Sequence, residues 1–127
     1  MENGQKRSPL YKSFGYAFEG IINTIKSERN IKIHLLATIL VIIFGFILEI
    51  SYYEWLICLL LFAIITSLEL VNTAVEAVVD MYATSYNALA KKAKDAAAGA
   101  VLYAAIIAAI IGGIIFFPKL YMFVMRF

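Results

Sequence analysis

The stretch SLELVNTAVEAVVD, residues 67–80, decides how this chain is read. It sets Glu69, Asn72, Glu76 and Asp80 inside one of the most apolar parts of a sequence that is 63% hydrophobic and only 16% charged. Separations of three, four and four residues place the four side chains on one stripe of an α-helix. At 1.5 Å per residue, the steps from Glu69 to Asp80 cover roughly 16 Å. Glu69 is the deep end of the stripe, because the run from Trp55 to Leu68 before it carries no charge.

Working outward, this composition is that of an integral membrane protein, not of a soluble domain. Three apolar segments, 33–50, 55–80 and 96–117, are each near the roughly 20 residues a helix needs to cross hydrocarbon. The first begins too far into the chain for a cleavable signal peptide. Residues 1–10 read as a mobile polar tail. Over 11–29, Phe14, Ala17, Phe18, Ile21, Ile22 and Ile25 recur at helical spacing with Lys12, Glu19 and Lys26 between them, the pattern of an amphipathic helix lying in the membrane surface. The expected fold is therefore all-α, a surface helix followed by three transmembrane helices, with a polar loop over 81–95. Cys58, the single cysteine, reads as a small buried apolar residue.

Charge distribution gives the orientation. Lys6, Arg7, Lys12, Lys26, Arg29 and Lys32 precede the first span, and Lys91, Lys92 and Lys94 lie in the second loop. The first loop has Glu49 and Glu54 and no basic residue. The positive-inside rule then puts the N-terminus and second loop in the cytoplasm of a multi-pass protein of the bacterial cell membrane, with Lys119 and Arg126 as a small opposing signal. A net charge of +2 gives no case for nucleic acid. Three spans make a thin bundle, and small residues recur along the third (AAAGA, AAIIAAIIGG), so a homo-oligomer is expected.

Each charge in hydrocarbon costs about 2.5 to 3.5 kcal/mol on insertion scales, so an acid stripe needs partners. One reading is polar glue between helices; the other is a site that gathers cations. Two further sets belong to the same side of the membrane: Glu28, Asn30 and His34 in SERNIKIH, and Lys94 and Asp95 in AKKAKD. Glu28 and Glu76 offer hard oxygen ligands suited to Mg²⁺, which is usually held by one or two carboxylates together with phosphates. Lys94 offers a point charge for a phosphate. Glu69, deeper, suits a base that takes the proton of a lipid hydroxyl. These are parts for phosphoryl transfer, where catalysis is mostly positioning and charge neutralisation. No Walker-type or kinase-type glycine loop accompanies them. His34, the one histidine, is either a polar residue bonded to its neighbours or a substrate contact; Tyr86 and Asn87 are either nucleotide contacts or plain loop residues.

ELVNTAVEAVVD followed by AKDAAAGAVL, with GYAFEG and ERN upstream, resembles the signature of the small prokaryotic diacylglycerol kinase family, from about Tyr11 to Phe117. The resemblance implies a homotrimer with active sites between subunits, Glu69 as general base, and Glu28 and Glu76 holding Mg²⁺ with ATP. It implies that Asn72 and Asp80 organise the site, that Lys94 and Asp95 contact the nucleotide, and that Tyr16, Ser85, Tyr86 and Asn87 lie near ATP. Gram-negative members carry an arginine where this chain has Pro9, a contact that Lys12 or Arg7 would have to replace. ERNxKxH, DAAAGAV and FFPKL look more like the Gram-positive branch, which is similar to undecaprenol kinases. The expected activity is thus ATP-dependent phosphorylation of undecaprenol, with Asn30 and His34 helping to organise the site and Phe18, Ile21 and Ala98 along the lipid's path. The alternatives are a diacylglycerol kinase making phosphatidic acid, a small proton-coupled transporter built around Glu69, and a non-catalytic assembly subunit.

Overall fold

The computed structural model describes Arg7 and residues 9–127; most of the segment expected to be a mobile tail lies outside the described residues. The described chain is all-helical: α1 (Leu10–Ser27), α2 (Arg29–Ile47), α3 (Tyr52–Tyr82) and α4 (Ala88–Val124). The last three are long and apolar enough to cross a membrane. At about 1.5 Å per residue, α3 and α4 are each longer than the roughly 30 Å hydrocarbon layer, so part of each extends into or beyond its polar margin.

Local chemistry sets the boundaries. Pro9 caps α1, its carbonyl accepting from the amides of Lys12 (2.9 Å) and Ser13 (3.3 Å). Glu28 alone separates α1 from α2, in extended backbone. The α2–α3 turn is a Schellman closure: Ile50 N donates to Gly45 O (3.1 Å) and Glu49 N to Phe46 O (3.4 Å). Glu49 takes the left-handed conformation there, with φ of 53°. Ser51 and Glu54 then form a capping box that starts α3.

The loop expected over 81–95 is shorter than that, spanning 83–87. Asn87 Oδ1 accepts from the amides of Leu89 (2.9 Å) and Ala90 (3.2 Å), and the alanine- and lysine-rich run that follows is a strong helix former. The third span, expected to be 96–117, is accordingly the middle of a longer helix. Pro118 removes one amide from α4 without ending it.

α3 is the central helix, packed closely along α4 and along α2. Near the α2–α3 turn the interior is Ile50, Cys58 and Ile115, with Val41, Trp55, Phe62, Ile111 and Phe116 against them. Glu54 on α3 and Lys119 on α4 pair at 3.3 Å at that end. Near the α3–α4 turn, Ile31 and Val101 are the buried apolar residues. Most other apolar side chains, such as Leu36, Leu60 and Ile110, face outward, as they must where the surroundings are lipid.

Candidate active site

The acid stripe is graded in burial. Glu69 is 3% exposed and Asn72 7%, the two buried polar residues among those described, while Glu76 is half-buried and Asp80 exposed. Asn72 Nδ2 donates to Glu76 Oε1 at 3.4 Å, a long bond that joins adjacent turns of α3. Thr73 Oγ1 donates to the carbonyl of Glu69 (3.0 Å) and Thr38 Oγ1 to that of His34 (2.8 Å), so both hydroxyls are satisfied within their own helices.

From α2, His34 brings Nε2 to 3.1 Å from Glu69 Oε1. The approach is off hydrogen-bond alignment, and Oε1 of Glu69 and Oδ1 of Asn72 are both enclosed without a bonding partner. Buried acceptors are nearly always paired in folded proteins, so two orphans side by side mark a place where a donor or a cation belongs. Glu28 and Glu76 both lie within electrostatic reach of Glu69, and Glu76 also within that of Lys94.

Three hollows adjoin this centre. The first, about 200 Å³, is lined by Asn30, His34, Glu69, Asn72 and Ala98, together with Val101. The second, about 310 Å³, lies toward the α3–α4 turn and takes in Asp80, Ser85, Tyr86, Asn87, Lys94 and Asp95. Lys94 Nζ stands 2.6 Å from Asp80 Oδ1 on its wall, and Lys91 is paired with Asp95. The third is an apolar groove of about 260 Å³ that runs from His34 and Ala105 past Ile65, Phe62 and Gly112 to Phe116.

The structure thus gathers most of the residues expected from the sequence into two polar chambers, with Glu76 in reach of both. Tyr16, Phe18 and Ile21 on α1 are exposed and line neither chamber. Asn87 has a structural task, since its side-chain oxygen caps α4. Lys91 and the apolar groove were missed. The spacing of four between Lys91 and Asp95 was a visible signal for the first; the groove had none.

For a magnesium ion, the donors fit in chemistry: Glu28 and Glu76 are half-buried carboxylates, and Glu76 is bonded to the Asn72 amide. Among the described residues no three acidic, histidine or cysteine side chains converge by themselves.

Comparison with known proteins gives a consistent answer. A family model described as prokaryotic diacylglycerol kinase matches residues 15–116. The undecaprenol kinase of Bacillus subtilis (strain 168) is 50% identical over 123 residues, covering 94% of this chain and all of the relative. A diacylglycerol kinase of Synechocystis is 42% identical over 87% of this chain and 64% of the relative. The diacylglycerol kinase of Haemophilus influenzae is 31% identical over 85% and 92%.

Proposed function

The chain belongs to the prokaryotic diacylglycerol kinase family, a family of lipid kinases, and on that premise we propose that it transfers the γ-phosphoryl group of ATP to the hydroxyl of undecaprenol. The observation that carries the reading is Glu69, a buried carboxylate with an unpaired oxygen, in a polar chamber that shares His34 and Ala105 with an apolar groove. The 50% identity to an undecaprenol kinase supports the acceptor.

In this reading the lipid keeps its tail in the groove and brings its hydroxyl to Glu69. ATP occupies the chamber of Asp80, Ser85, Tyr86, Asn87, Lys94 and Asp95, its triphosphate toward Lys94 and Asn72. Glu69 takes the hydroxyl proton as the oxygen attacks the γ-phosphorus, the bond to the bridging oxygen breaks, and ADP leaves with undecaprenyl phosphate as the other product. Glu28 and Glu76 would hold Mg²⁺ with the nucleotide, and the ion would supply neutralisation of charge on the phosphates. The buried Glu69 does work in this scheme that glue would not require, and Lys94 and Asp95 have tasks that a proton transporter would leave idle.

The remaining features follow the same plan. α1 lies on the cytoplasmic face with Phe18 and Ile21 toward the lipid and Tyr16 toward the nucleotide, and the basic N-terminal region and α3–α4 turn are cytoplasmic. The chain assembles as a homotrimer, which would cover outward faces of so thin a bundle and bring α1 of one subunit near the site of another.

The test is the purified protein in bilayers with radiolabelled ATP, Mg²⁺ and either undecaprenol or diacylglycerol. Label in undecaprenol is the expected result. Label in diacylglycerol alone would transfer the assignment to the second reading, a diacylglycerol kinase, which the names of the Synechocystis and Haemophilus relatives favour. Label in neither lipid overturns the kinase reading.

A further inference from the structure

Two residues, His34 and Ala105, line both the apolar groove and the polar chamber of Glu69; Glu69 itself does not line the groove. An alcohol that keeps its tail in the groove and puts its hydroxyl against Glu69 spans the boundary that these two residues share. Ala105 has only a methyl group to offer, so the imidazole of His34 is the side chain that sets the threshold.

The same ring meets the buried carboxylate, with Nε2 3.1 Å from Glu69 Oε1. A purely structural pair would be saturated, each atom bonded to the other. This one is not: Oε1 lacks an aligned donor, Asn72 Oδ1 lacks any, and the His34 side chain keeps 24% exposure. An alcohol hydroxyl, both donor and acceptor, is a group able to complete such a set.

The geometry points to His34 as a positioning residue: its Nε2, 3.1 Å from Glu69 Oε1 but not aligned with it, comes into line as a donor when the alcohol is seated and so holds the carboxylate toward the incoming hydroxyl, while its ring borders both groove and chamber. The inference rests on the lipid-kinase reading above and adds a residue that acts on the base, not on the phosphates. Its signature is specific. Loss of the N–H misaligns the base and lowers kcat, while nucleotide binding, served by the other chamber, is untouched.

The experiment uses the full chain in undecaprenol-containing bilayers, with ATP varied, and compares His34→Phe, which keeps a planar ring and loses the donor, with His34→Gln, which keeps a donor at similar reach. Near-attack geometry is sensitive to displacements on the order of 1 Å, so His34→Phe should lower kcat about ten- to hundredfold with KM for ATP within about twofold of wild type. His34→Gln should recover most of the loss. Folding is followed by size-exclusion chromatography and thermal unfolding; should the Phe variant not fold, His34→Asn, whose amide is too short to reach Glu69, takes its place. A donorless variant with wild-type kcat, equal losses in both variants, or a loss that comes as a raised KM for ATP overturns the role of His34. Wild-type protein inactive on every alcohol would instead overturn the kinase reading itself.

Discussion

Lys94 on α4 and Asp80 on α3 are joined at 2.6 Å, an ion pair that ties the two helices together beside the chamber closed by Ser85, Tyr86 and Asn87. With side chains 41% and 63% exposed, the pair is screened by solvent and contributes little to stability. Its position beside an anion-sized chamber is the more informative fact. Removing a cation from a phosphate loses a charge-assisted contact of about 1.5 to 3 kcal/mol, so Lys94→Ala should raise KM for ATP at least about tenfold. Asp80→Asn keeps the cation and should change KM less, and both variants should unfold at close to the wild-type temperature. Steady-state kinetics with thermal melts in detergent check this; an unchanged KM in Lys94→Ala counts against a nucleotide in that chamber.

Glu69→Gln keeps the size of the side chain and removes the base. A general base contributes roughly 10²- to 10⁴-fold, so transfer to undecaprenol should fall by that order. Stability should be unchanged or improved, because neutralising an incompletely paired buried acid relieves a desolvation penalty. If the variant instead loses assembly while any remaining assembled protein keeps full activity, Glu69 is glue and the catalytic reading fails.

Divalent ion dependence separates the two outlying carboxylates from the base. Chelation should abolish transfer, and Glu28→Gln or Glu76→Gln should raise the Mg²⁺ concentration needed for half-maximal rate. Glu69→Gln should leave that concentration unchanged. A titration of rate against Mg²⁺ for the three variants decides it, and an unaltered requirement in both Glu28 and Glu76 variants would remove them as ligands.

The spans and the acid stripe were legible because each depends on one helix: apolar length for the first, a spacing of three and four for the second. The end of the second loop was not, since the cap at Asn87 and the helix-forming run after it lie within a polar stretch that reads equally well as coil. The groove was illegible for a different reason. In a soluble helix the buried face is apolar and the exposed face polar, whereas here Phe62 and Ile65 inside look no different from Leu60 and Ile64 outside. Contacts such as His34 with Glu69, or Glu54 with Lys119, join positions far apart in sequence and had no local trace.

The α2–α3 turn offers two substitutions of opposite sign. A Cβ on Gly45 would sit 2.7 Å from the Trp55 ring, which is already packed on Phe46 with centroids 4.9 Å apart, so Gly45→Ala should destabilise by about 1 to 3 kcal/mol. Glu49 occupies the left-handed position that glycine normally fills in a Schellman closure, and Glu49→Gly should be stabilising by up to about 1 kcal/mol. Thermal unfolding of the two variants tests both signs. The turn is at the end of the bundle opposite the chambers, so activity per folded molecule should stay at the wild-type level.

The groove predicts chain-length selectivity. Ala109 and Gly112 line it from α4, and a Cβ on Gly112 would meet nothing within 4 Å, so the space there is open to a ligand. Ala109→Phe or Gly112→Leu should fill part of the roughly 260 Å³ without touching Glu69. A long prenol would then lose the apolar contact that holds it, at about 25 cal/mol per Å² of buried surface, while a short prenol that reaches no deeper than Thr66 would lose little. Undecaprenol turnover should therefore fall at least about tenfold relative to farnesol, a selectivity shift of about 1.4 kcal/mol or more. Rates for the two alcohols, measured in the same bilayers, give the ratio directly. An unchanged ratio together with a changed oligomeric state would mean that a neighbouring subunit, not the lipid tail, fills the groove.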